Sequence, residues 1–226
     1  MRGPIRTVAC IGAMIFASVS LFLSSPALAQ AASEVTHGQS ISPNYKSWSL
    51  FLVCNPEWLV TEEAAQENMR ALHEAFSSFG KIIGSANLAV WFTKPAISSS
   101  QANYETYDAD EAGDYCASYG LSANESPYIV VTTAYPTKTG ARGNYSAISL
   151  NRLDNANRLR LLGTISDRIR MSDFRAEQFD SDRYWRRWAQ VLDESARAMG
   201  RLVEAIKFTV DARAVKVEFD GTKISR

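Results

Sequence analysis

The sequence predicts an α/β fold, with a mixed four-stranded sheet carrying helices on both faces. Two observations point there. Leu50–Val53, Leu88–Phe92 and Tyr128–Thr133 are short runs rich in apolar and β-forming residues, as buried strands require. Between and after them, apolar residues return at helical spacing, giving the order β-α-β-α-β-β-α.

Residues 1–29 read as a signal peptide. Arg2 and Arg6 precede the uncharged, mostly apolar run Val8–Leu23, and Ala27-Leu28-Ala29 has the small-x-small form that precedes cleavage. The run is shorter than the roughly 20 residues that span a bilayer, so cleavage before Gln30 is expected over a retained anchor. Cys10 lies too near the N-terminus for a lipoprotein signal. The expected location is periplasmic or secreted. Of 24 basic residues 22 remain after cleavage, against 24 acidic ones, and this balance gives no footprint for nucleic acid.

Residues 30–46 are small and polar and read as a flexible leader. Trp48–Val53 is the first strand. The next helix has one buried face, Met69, Leu72, Phe76 and Phe79, and Gly80 suits its C-terminal cap. Its start has two readings. Asn55 caps with Pro56 at the first helical position, or Thr61 caps with Glu62 and Glu63 in the first turn.

Leu88–Phe92 is the second strand, followed by a polar loop over 96–107. Asp108–Tyr119 forms a short helix ended by Gly120. Tyr128–Thr133 and Tyr145–Leu150 pair as a hairpin across a turn-rich connection. Asp154 or Asn155 caps a helix with the stripe Leu159, Leu162, Ile165 and Ile169. Residues 181–207 form a long amphipathic helix. Val215, Val217 and Phe219 then alternate with charged residues as a terminal strand.

Two cysteines, Cys54 and Cys116, remain after cleavage. In an oxidising compartment an even count reads as a disulfide, and a structural Cys54–Cys116 bridge is the adopted reading. The alternatives are a redox pair, with Cys54 as a thiolate stabilised by helix amides and Cys116 resolving, and two unpaired thiols.

Cys54 at the strand-to-helix junction, the segment Asp114-Tyr115-Cys116-Ala117-Ser118-Tyr119-Gly120-Leu121, and Ser126-Pro127 just before the third strand resemble the thioredoxin-like superfamily. The resemblance covers about residues 47–170. It implies a thioredoxin-like domain over 47–172, a C-terminal extension over 173–226, and Pro127 as a cis-proline presenting backbone to a bound peptide. The Cys-x-x-Cys motif is absent, because Glu57 fills its fourth place. Dithiol exchange is therefore not carried over.

Other chemistry finds little support. Two histidines without clustered cysteines give no zinc signature, and no metal is expected. From Asp108 onward an EF-hand fails at Ala112 and Tyr119, so that stretch reads as a solvated helix start. No phosphate loop and no Gly-x-Ser-x-Gly elbow occur, and no cofactor is implied. Trp185 and Trp188, set among Arg183, Arg186 and Arg187, suit a partner groove, a homodimer or a membrane surface. The expected function is protein binding or scaffolding. The alternatives are a monothiol or Cys54/Cys116 redox protein, and a membrane-surface protein acting through the Arg/Trp helix.

Overall fold

The computed structural model describes residues 32–60, 62–95, 104–141, 145–171, 190, 206–211 and 214–219; beyond 190 it gives backbone, with the side chain of Lys216. Residues 1–29, expected as a signal peptide, Trp185, Trp188 and nearly all of the predicted helix 181–207 lie outside the described residues.

The fold is mixed α/β. The strands are β1 (Ala32–Thr36), β2 (Ser47–Leu52), β3 (Asn87–Thr93), β4 (Tyr128–Thr132), β5 (Tyr145–Ser149), β6 (Ile206–Asp211) and β7 (Ala214–Phe219). The helices are α1 (Glu63–Ile82), α2 (Ala109–Ser118) and α3 (Asn155–Arg170). The strands form one sheet in the order β1-β3-β2-β4-β5-β7-β6. β3 runs parallel to β1 and β2, and β4 is antiparallel to both β2 and β5. The four strands expected from the sequence are therefore the inner ones, and the sheet is wider than predicted.

Side-chain alternation places the helices on two faces. On β3, Trp91 packs on Phe76 of α1 with ring centroids 5.5 Å apart. Its neighbour Phe92 points the other way and stacks on Tyr115 of α2 at 4.9 Å. On β2, Phe51 meets Phe76 and Phe79 edge-on, each at 5.5 Å. All four residues of the predicted α1 stripe are buried.

The flexible leader is a correction. Within 30–46, β1 pairs in parallel with β3, and Val35 and Ile41 enter the core. Gly80 is a second one. It lies inside α1, not at its end, and its bare Cα makes room for Ala32: a Cβ there would stand 2.3 Å from the Ala32 Cβ. Gly84, with φ +80°, follows the helix instead.

On α3 the stripe is shifted. Leu159 is 52 % exposed, whereas Leu161, Leu162, Ile165 and Ile169 are buried. Arg158 takes the first inward position. Its Nε donates to Leu150 O at 3.0 Å, its Nη1 to Asn155 Oδ1 at 3.1 Å, and its guanidinium lies 5.2 Å from the centre of the Trp58 ring. An apolar pattern could not show that an arginine leads the buried face.

At the C-terminal end, Ile206 and Lys207 begin β6 and are not the last turn of a helix. The predicted terminal strand is β7. It pairs in parallel with β5, so it belongs to the main sheet.

Candidate functional site

Cys54 follows β2 and faces α2. Its sulfur is bonded to that of Cys116, with Cα atoms 5.9 Å apart, within the range of a relaxed bridge. The bridge ties the end of β2 to the middle of α2 across a separation of 62 residues. By loop-closure entropy such a link stabilises the fold by about 4 kcal/mol. Cys116 is buried and Cys54 half-buried.

The start of the helical region matches neither reading in full. Asn55 does cap, accepting from Glu57 N at 3.0 Å, but what it caps is a four-residue 3-10 turn, Pro56–Leu59. α1 begins only at Glu63. Cys54 therefore does not stand at the N-terminus of a long helix. Glu57 is exposed, and its carboxylate accepts from Asn55 Nδ2 at 3.3 Å.

The Ser126–Pro127 peptide bond is cis, and Pro127 is buried. Ser126 Oγ accepts from the amides of Cys54 at 2.7 Å and Asn55 at 3.2 Å. Its own amide donates to Ala123 O at 3.2 Å, and Pro127 O accepts from Leu150 N at 2.7 Å. The fold thus brings Cys54, Cys116 and Pro127 together.

Tyr107 supports the same strand end. Its hydroxyl donates to Phe51 O at 3.2 Å and accepts from Val53 N at 2.9 Å. Burial holds this phenol protonated far above the usual range; the Val53 amide works against that shift, and the charge of Asp108 adds to it.

A second cluster was not legible in the sequence. Asp108, the N-cap of α2, is fully buried, and Glu111 is 3 % exposed, so the expected solvated helix start holds for Asp110 and Asp114 but not for these two. His37, expected in a flexible leader, sits in the turn after β1, with Nδ1 2.5 Å from Asp108 Oδ2 and 3.8 Å from Glu111 Oε2. Lys138 Nζ donates to Glu111 Oε2 at 2.6 Å and lies 3.7 Å from Asp114 Oδ2.

Burial alone would raise the Asp108 pKa. The Glu111 amide, the hydrogen bond and charge of His37, and the charge of Lys94 outweigh it and hold the carboxyl below its ordinary value. The hydrogen bond to Glu111 raises the Lys138 pKa in turn. The one sequence signal for the cluster is Asp108-x-x-Glu111, the spacing of a capping box. Among the described residues no helix is long and apolar enough to cross a membrane. No family model, curated protein or solved structure matches this chain.

Proposed function

We propose that this is an exported, thioredoxin-like protein without dithiol catalysis, which works by binding another protein. The fold assignment is supported by the inner strand order β3-β2-β4-β5, parallel then antiparallel, and by the cis-proline beside Cys54. Export is supported by the N-terminal pattern Arg2 to Ala29.

The observation that carries the non-catalytic reading is the partner of Cys54. Thiol exchange needs an accessible attacking thiolate. In the bond between Cys54 and Cys116, the Cys116 sulfur is buried within a helix and Cys54 is half-buried, so neither end is freely open to an incoming thiol. The backbone of Ser126 and Pro127 is also engaged at the Ser126 amide and the Pro127 carbonyl.

The test is an insulin-reduction assay with a substoichiometric amount of the protein and dithiothreitol, alongside alkylation before and after mild reduction. The expected outcome is no acceleration, with the Cys54–Cys116 bond resisting mild reduction so that neither cysteine is alkylated. Acceleration above the dithiothreitol background overturns this reading in favour of the Cys54/Cys116 redox protein, which the half-exposed Cys54 beside Pro127 favours. Sedimentation over a range of concentrations reads whether the partner is a second copy of the chain.

A further inference from the structure

We propose that His37, Asp108 and Glu111 form a binding site for a first-row divalent cation of the zinc type, which displaces the Lys138 ammonium. This goes beyond the binding role above and does not rest on it. Nδ1 of His37 and a carboxylate oxygen from each acid lie within 4.8 Å of one another. Atoms bound to one zinc ion at about 2.0–2.2 Å stand roughly 3–4 Å apart. Small movements of His37, 56 % exposed, bring the three to that spacing.

The charge balance is a separate observation pointing to a cation. Two carboxylates, 0 % and 3 % exposed, stand together; Lys138 is bonded to Glu111, and Lys94, paired with Asp110, reaches Asp108 only through its charge. Buried carboxylates are costly unless neutralised, and among the described residues neither lysine is bonded to Asp108, whose side-chain contact is His37. A divalent ion bound to neutral His37 matches both. Lys138 then has somewhere to go, because Asp114 Oδ2 is 3.7 Å from its ammonium and lies on the exposed side.

The frame is already built. The His37 amide donates to Thr93 O at 2.8 Å, and the Asp108 amide to Phe92 O at 3.0 Å, so the end of β3 holds two of the three ligands. Asp108 Oδ1 accepts from the Glu111 amide at 3.1 Å, which leaves Oδ2 facing the site. A cleft of about 260 Å³, lined by Gly38–Ile41, Glu111 and Lys138 among others, opens beside Glu111. One imidazole nitrogen with two carboxylate oxygens suits zinc-like ions; calcium asks for six to eight oxygens.

The experiment is calorimetric titration of the metal-stripped protein with zinc chloride near neutral pH. The expected result is saturable binding of one ion per chain. His37→Ala and Glu111→Gln are each expected to weaken it at least about 10-fold, whereas Lys138→Ala tightens it by removing the competing cation. His73→Ala, at the separate Glu34 pair, is expected to leave it unchanged. The proposal is overturned by absence of saturable binding, by His37→Ala without effect, by Lys138→Ala that fails to tighten, or by loss of binding in His73→Ala. If Glu111→Gln does not fold, His37→Ala and Lys138→Ala decide the matter, since both side chains are substantially exposed.

Discussion

Ser126 Oγ lies 2.7 Å from the Cys54 amide nitrogen, so the residue before the cis-proline holds the first half of the disulfide. The same oxygen accepts from Asn55, and one hydroxyl therefore serves two part-buried amides. Ser126→Ala leaves both without that acceptor. The expected loss is about 1–3 kcal/mol by urea denaturation, with the disulfide still formed on a thiol assay. A loss below a few tenths would show that the two amides find other partners.

The approach of Ala32 to Gly80 gives a second expectation. Gly80→Ala places a methyl group where the Ala32 Cβ and backbone stand. β1 has to move away from α1, at a cost of about 1–3 kcal/mol. Hydrogen exchange localises the effect: the His37 amide, bonded to Thr93 O, is expected to exchange faster while β2 and β4 keep their protection. Adding Ala32→Gly is expected to restore part of the loss.

Asp108 gives the pH dependence. Its folded pKa lies below the ordinary 3.8, so its contribution is present above that value and lost as pH falls through the folded pKa. Asparagine keeps the capping oxygen but removes the charge. Asp108→Asn is therefore expected to destabilise by roughly 1–3 kcal/mol near neutral pH, with the gap to the native protein closing below about pH 4. Melting curves from pH 7 down to pH 3 check this. A gap that stays constant with pH would contradict it.

Arg158 tests the inward face of α3. Replacing it with methionine keeps much of the stem packing, but it deprives Leu150 O of its side-chain donor and Trp58 of its cation. A loss of about 2–4 kcal/mol is expected in urea, with Arg158→Lys recovering less than half, since an ammonium lacks the planar fork. Trp58 fluorescence is expected to change in both variants.

The inner strands and the three helices were legible because their signals are local. Leu50–Val53 and Leu88–Phe92 are apolar on both sides, and Met69 to Phe79 keeps one helical face. β1 was not legible. Only Val35 of Ala32–Thr36 is buried, and its place depends on Gly80, far along the chain. β6 was hidden because Ile206 also fits the apolar spacing of the helix predicted before it. The bridge partner Cys116 followed from counting cysteines. The contact of His37 with Asp108 spans 71 residues and joins a turn to a helix cap, so no local pattern announces it.

The parallel pairing of β7 with β5 has a consequence for the integrity of the sheet. β5 is buried along its whole length, and one of its backbone edges is covered by β7. A chain that stopped after α3 would lose more than two strands. It would expose the edge of a buried strand, with unsatisfied amides and carbonyls, the kind of edge along which unrelated chains add and aggregate. The C-terminal hairpin thus covers an edge of the central sheet as well as pairing its own two strands.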